Sequence, residues 1–238
     1  DATVVHNKAV AKSLRQYAVR LEASAADRRE TAASLIRETV QKHGRILFNG
    51  NGYGAEWTAE AARRGLPALA ATPDCLPFLP SEKNLSLFLR HGVLREEELR
   101  ARYEVMAADY VRTAVTEAKT AAAMVRRDIL PAVSRFTGHL AQNAEAARRC
   151  GCEAVYECEG VRTLSALTAE MIRRTDTLEA AVTQASAACN GQEAARFCRD
   201  RILPLMCGVR QTVDFAELRT ERQAWPYPNY EDLLFGIG

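Results

Sequence analysis

The sequence predicts a mainly α protein: short helices, then a long up-down-up three-helix bundle with proline-bent helices, and at most one or two short strands. Three observations predict it. From Glu96 to about Arg149 no glycine occurs before Gly138, and Pro131 is the sole proline in a continuous helical pattern. Next, Val161, Leu164, Thr168, Met171, Thr175, Leu178, Val182 and Ala185 recur at unbroken three- and four-residue spacing, and Ala195, Cys198, Ile202, Leu205, Val209, Thr212 and Ala216 do the same, which places each set on one face of a helix. Breaks fall only at Cys150-Gly151-Cys152 and Asn190-Gly191, so the connections are short and the helices alternate in direction.

The first half divides into smaller pieces. Ala2 to about Ala26 reads as an amphipathic helix, with Val5, Ala9, Leu14, Tyr17, Ala18 and Leu21 near helical spacing. Arg28 to His43 reads as a second, with Leu35, Ile36 and Val40 inward and Gly44 as its stop signal. Arg45-Ile46-Leu47-Phe48 is a short extended run. It leads into Asn49-Gly50-Asn51-Gly52-Tyr53-Gly54, which is dense in residues that tolerate positive φ. Glu56 to Arg64 is a short helix closed by Gly65. Four prolines between Leu66 and Pro80 predict an irregular, extended passage before a helix from Ser81-Glu82 to His91-Gly92.

The prolines of the second half are the unusual feature. Arg127-Asp128-Ile129-Leu130-Pro131 and Ile202-Leu203-Pro204 both lie inside helical patterns. An interior proline loses a hydrogen bond and clashes with the preceding turn, at ~3 kcal/mol, so packing must hold both helices together. The small and polar residues of the seams predict a close bundle that gains from a neighbour's support.

Composition excludes several functions. The chain has 238 residues, 47% of them hydrophobic and 26% charged, which is the balance of a globular protein. A net charge of +2 gives no case for nucleic acid or an acidic membrane. The arginine pairs (28-29, 63-64, 126-127, 148-149 and 173-174) are scattered beside acidic residues and read as solvated helix faces. No apolar run reaches the ~20 residues that span a bilayer. Seven cysteines, an odd number in a long chain, predict a reducing cytoplasm rather than a disulfide framework. Starting Asp1-Ala2-Thr3 within a helical pattern, the sequence reads as a processed or truncated chain.

Few motifs carry chemistry. Gly50, Asn51 and Gly52 before a helix form an anion-loop candidate. They lack the lysine of a phosphate loop and a surrounding βαβ unit, and the other reading is a tight turn with Tyr53 and Trp57 packed locally. Cys150, Cys152 and Cys158 cluster without the spacing of a zinc site and read as free thiols at a helix junction. Cys75, Cys189, Cys198 and Cys207 read as small core or surface residues. His6, His43, His91 and His139 are dispersed, two of them directly before glycine, as befits helix ends. The residues predict no catalytic group and no metal ligand. The tail Trp225-Pro226-Tyr227-Pro228-Asn229-Tyr230-Glu231-Asp232-Leu233-Leu234-Phe235 is so rich in large side chains that docking onto its own protein is expected.

These residues together resemble the C-terminal portion of type III glutamine synthetase, a glutamate–ammonia ligase. The resemblance is carried by Arg45-Ile46-Leu47-Phe48-Asn49-Gly50-Asn51-Gly52-Tyr53, Glu56-Trp57, Arg64-Gly65-Leu66-Pro67, Ser81-Glu82-Lys83-Asn84, Asp128-Ile129-Leu130-Pro131-Ala132-Val133-Ser134, Trp225-Pro226-Tyr227-Pro228 and Asp232-Leu233-Leu234-Phe235, in family order along nearly the whole chain. Departures are Gly54, where the family tends to serine, the region from Cys150 to Cys158, and His6-Asn7-Lys8.

The resemblance implies that residues 1–115 are the closing helices of a catalytic domain and residues 116–238 the helical extension of type III enzymes with its aromatic tail. For the full-length family it implies ATP and Mg, synthesis of glutamine from glutamate and ammonia, and a dodecamer. The family's metal-binding glutamates, ATP-contacting segment and phosphate-stabilising arginines precede the position matched by Asp1, so no catalytic, cofactor or metal residue is carried over. The expected role is structural: a cytoplasmic, non-catalytic region, inactive alone, that self-associates and partners the missing catalytic domain. A stand-alone helical interaction module is the alternative.

Overall fold

The computed structural model describes residues 2–24, 27–67, 69–187, 191–228 and 230–236. Every element among them is helical: α1 Ala2–Glu22, α2 Arg28–His43, α3 Ala55–Arg63, α4 Thr72–Cys75, α5 Glu82–Arg90, α6 Glu96–Met124, α7 Leu130–Arg149, α8 Val155–Ala187, α9 Gly191–Phe197, α10 Leu203–Glu217 and α11 Tyr230–Phe235. No strand occurs among the described residues, and no helix there is long and apolar enough to cross a membrane. The backbone divides into two compact units, Asp1–Ala70 with Ser86–Arg95, and Ala71–Leu85 with Glu96–Gly238.

The second unit is the predicted bundle. Residues 96–149 form an uninterrupted 54-residue helical stretch, α8 returns along it, and α9 with α10 rises again. Leu164, Met171, Thr175, Leu178, Val182 and Ala185 are buried on α8, and Ala195, Cys198, Ile202, Val209, Thr212 and Ala216 on the third arm, as their spacing predicts. Ala114, Ala118, Val125, Ile129, Val133, Phe136 and Leu140 complete the core.

The structure shows how the prolines are held. Val125–Ile129 and Cys198–Ile202 are π-helical turns, placed immediately before Leu130-Pro131 and Leu203-Pro204. A π turn accommodates one extra residue by bonding i to i+5. The proline then falls in the first turn of the following α-helix, where its missing N–H costs no intrahelical bond. The two turns correspond at their first, second and last positions. Val125 and Cys198 are buried, as are Ile129 and Ile202. Arg126 and Arg199 both point outward to two carboxylates: Arg126 binds Asp176 and Glu179 of α8, and Arg199 binds Asp200 and Asp74 of α4.

Three helices end as predicted. Gly65, Gly92 and Gly151 have φ of 66°, 60° and 76°. Each lies in a paired cap in which the glycine N–H and the next N–H turn back to carbonyls of the last turn, as in Gly65 to Ala62 and Leu66 to Ala61.

Several expectations are corrected. Gly44 keeps right-handed φ and continues α2 into a 3-10 turn, Gly44–Ile46, so Arg45 and Ile46 of the predicted extended run lie in a helical turn, and Leu47 after them is extended. Its carbonyls find no partner strand; Arg64 Nη1 donates to Arg45 O at 3.0 Å and to Leu47 O at 2.6 Å instead. The passage expected to be extended between Leu66 and Pro80 contains α4 and a 3-10 turn, Leu76–Phe78, because Pro73 and Pro77 begin these turns rather than break them. On α2 only Leu35 is buried, and Ile36 and Val40 face outward, as does Leu14 on α1.

The tail docks in part. Ala224, Trp225 and Tyr227 pack on the bundle core, and Tyr227 Oη donates to Asp128 Oδ2 of the first π turn at 2.6 Å. Burial of the phenol, and second its bond to Asp128, push the Tyr227 pKa up to about 12. Beyond it, Leu233, Leu234 and Phe235 of α11 are exposed.

Candidate functional site

The glycine loop of the first unit is the predicted anion site, and the structure gives its geometry. Asn51 organises it. The Asn51 side-chain Oδ1 accepts the Tyr53 N–H at 3.0 Å, and its carbonyl accepts the Gly54 N–H at 3.1 Å, the turn geometry that asparagine favours. Gly50, Gly52 and Gly54 have no positive φ. What glycine provides at position 50 is room: a Cβ there would lie 2.7 Å from the Phe48 ring. That ring stacks on Trp57, with centroids 4.8 Å apart, whereas Tyr53, expected to pack, is fully exposed.

Behind the loop, Glu60 ties Arg63 and Arg64 together. Arg63 donates to it through Nε and Nη2 and Arg64 through Nε, all at 2.6 Å. These bonds, Arg63 first, hold the Glu60 carboxyl at about 2, well below its ordinary range. Arg64 is thereby aimed at the carbonyls of Arg45 and Leu47. Two of the amides an anion nest would use, those of Tyr53 and Gly54, are already donated within the loop. The geometry is that of a braced turn.

The cysteine cluster stands at the α7–α8 connection. Cys150 and Cys152 are exposed, Cys158 is half-buried, and all are free thiols. Arg148 Nη2 donates to Cys158 Sγ at 3.0 Å. Cys75 and Cys207 are exposed and Cys198 is buried in the bundle; Cys189 lies outside the described residues. Among the described residues no three His, Cys, Asp or Glu side chains converge as a metal site would require. The described side chains therefore offer no such cluster for the divalent metal implied by the resemblance. His43 and His91 stand at the ends of α2 and α5.

A feature that sequence reasoning missed lies on α1 and α2. A cleft of about 840 Å³ is lined by Lys12, Arg15, Arg20, Lys42 and Arg90, with Glu38 as its single carboxylate and His43 and His91 at its edge. Arg20 Nη2 binds Glu38 Oε2 at 2.8 Å, which lowers the Glu38 pKa. Adjoining it, and sharing Tyr17 and Thr39, is an apolar groove of about 290 Å³ formed with Leu21, Ala32, Leu35, Ile36 and Val40. The signal was present as Lys12, Arg15 and Arg20 on one helix, but the cleft forms only when three helix segments converge.

Comparison with known proteins agrees with the resemblance. Residues 31–148 match the family model described as glutamine synthetase C-terminal domain. A glutamine synthetase of Butyrivibrio fibrisolvens is 31% identical over 88% of the chain and 30% of its own length. A type-3 glutamine synthetase of Dictyostelium discoideum is 27% identical over 98% of the chain and 33% of its own length. A glutamine synthetase of Bacteroides fragilis is 24% identical with the same coverage. The chain thus spans about a third of the length of the curated relatives it matches.

Proposed function

Residues 31–148 belong to the glutamine synthetase C-terminal domain family, and on that premise we propose that the chain is a non-catalytic C-terminal region of a type III glutamine synthetase with a structural role. Residues 1–115 close the catalytic domain, and residues 116–238 form the helical extension that supports assembly. Ligation of ammonia to glutamate with ATP and Mg belongs to the part of the enzyme these residues do not include. The setting is cytoplasmic and oligomeric.

One observation carries this reading. In the first unit the buried apolar side chains among the described residues are Leu35, Ala61 and Phe88, whereas Val10, Leu14, Val19, Ile36 and Val40 are exposed. So thin a core beside so much exposed apolar surface is the anatomy of helices that close another domain.

Two experiments test it. The purified chain, given glutamate, ammonia, ATP and magnesium, should form no glutamine, and measurable γ-glutamyl transfer would overturn the reading. Removing the matched third from the Dictyostelium type-3 relative should abolish its assembly; a truncated enzyme that assembles fully excludes a structural role.

A further inference from the structure

The α7–α8 connection, residues 150–154, brings thiols and cations to one place. Cys152 and Cys158 line a single recess of about 540 Å³ with Arg148, Arg162, Glu153 and Glu159, and such a volume admits a small molecule. Arg148 stands in the last turn of α7. It reaches across the connection, and its Nη2 donates to Cys158 Sγ at 3.0 Å. Among the described residues no carboxylate pairs with Arg148, so its charge rests on the sulfur.

Cys158 closes the first turn of α8, its N–H bonding Ala154 O at 3.0 Å. That helix runs for 33 residues, and the positive end of its dipole acts on the first turn. A guanidinium keeps its proton and only donates. Two positive fields therefore meet at a half-buried sulfur that solvent still reaches. Two other thiols differ. Cys198 is buried, and that burial pushes its thiol up. Cys207 is exposed and takes the neutral Gln211 amide, 3.7 Å away. Cys152 is exposed on the connection, six positions before Cys158 and in the same recess.

We infer that Cys158 and Cys152 are a reversible dithiol–disulfide pair oxidised by a low-molecular-weight disulfide, with Cys158 the attacking thiol and Arg148 positioning its sulfur. Exchange passes through a thiolate, and Arg148 attracts that negative charge. The Cys158 sulfur attacks one sulfur of the small disulfide, whose S–S bond breaks, and the leaving thiolate takes up the proton released by Cys158. Cys152 then attacks Cys158 Sγ in the mixed disulfide and expels the second small thiol, again with its proton. The cysteine pair is oxidised by two electrons, and one small disulfide is reduced to two thiols. A ring closed over so few residues removes little chain entropy. The bond thus responds to the surrounding redox state rather than stapling the fold.

The test treats the full chain with glutathione disulfide, quenches it in acid and maps it by mass spectrometry. Cleavage after Arg149 and Arg162 releases residues 150–162, which carry Cys150, Cys152 and Cys158 together. From the unsubstituted chain this peptide should be lighter by two hydrogens, and dithiothreitol should restore them. C152S should stop at the mixed disulfide, with glutathione on Cys158, whereas C150S should still close the bond. R148Q should slow the first step about tenfold, the worth of one hydrogen bond to a charged group. Alkylation of Cys150 in R148Q should keep its rate; if Cys150 also changes, Arg148 is merely structural and the proposal fails. A peptide that retains all its thiols overturns it too. So does a disulfide formed in C158S, or R148Q reacting as fast as the unsubstituted chain.

Discussion

Thr175 sits at the centre of the bundle with no accessible surface, and its hydroxyl has no hydrogen-bond partner among the described residues. Most buried threonines in these helices return the hydroxyl to the carbonyl four residues earlier; Thr212 does so to Gly208 O at 3.1 Å. A buried hydroxyl left unpaired costs the desolvation of that group, ~1–3 kcal/mol. Valine has nearly the same shape and helix propensity, so Thr175→Val removes the penalty without changing packing. The expected gain is about 1–2 kcal/mol. In a chain of this size each kcal/mol moves Tm by ~2–4 °C. Thr212→Val is the matched control: equally buried, but partnered, it should lose about 0.5–1.5 kcal/mol. Urea unfolding followed by circular dichroism reads both, with m unchanged if only stability is altered. The opposite signs of the two substitutions are the essential result. If Thr175→Val costs 1 kcal/mol or more, its hydroxyl has a partner such as a buried water, and the reasoning is wrong.

Three further outcomes are expected. The Tyr227 phenol rises from 10 to about 12 on folding, so its contribution is complete below pH 10 and is lost as pH climbs through 12; Trp225 fluorescence should report the tail leaving in that window, and a flat signal contradicts it. Glu170 is lowered from 4.5 to about 2 by Arg173 and then Arg174, so its contribution is present above pH 4.5 and is lost as pH falls through 2. E170Q should accordingly lose less urea resistance than the unsubstituted chain over that range, and equal losses would refute the assignment. Arg64→Ala should loosen the glycine loop by about 1 kcal/mol and red-shift Trp57 emission while the bundle's thermal transition stays put; an unshifted emission spectrum would mean that Arg64 does not brace the turn.

The bundle was legible because its pattern is redundant. Each buried position on α8 and α10 repeats the evidence of its neighbours, from Leu164 to Ala185 and from Ala195 to Ala216. The first unit was not, because periodicity shows which face is apolar but not what covers it. Ile36 and Val40 share the apolar pattern of Leu35, and only Leu35 is buried. Pro73 and Pro77 were ambiguous for another reason: proline both breaks helices and begins them, and the choice depends on where Asp74 meets Arg199 and where Gln192 donates to Pro73 O, 2.5 Å away. The π turns left no mark beyond their prolines, since the hydrophobic spacing through Val125, Ile129 and Val133 is what an α-helix would also show. In the glycine loop, composition gave the turn, while the roles of Asn51 and Arg64 depend on contacts across the unit.

Two arms of the bundle contain a joint, and the third does not. α8 runs for 33 residues without interruption, and Asp176 and Glu179 bind the first joint through Arg126. A few residues earlier on the same helix, Arg174 Nη1 donates to Gly208 O, 2.7 Å away, just beyond the second. Mechanically α8 is a splint lashed across two adjacent fractures. Damage to it between Glu170 and Glu179 would free both at once, so a nick there by a protease should separate the molecule into levers rather than trim it.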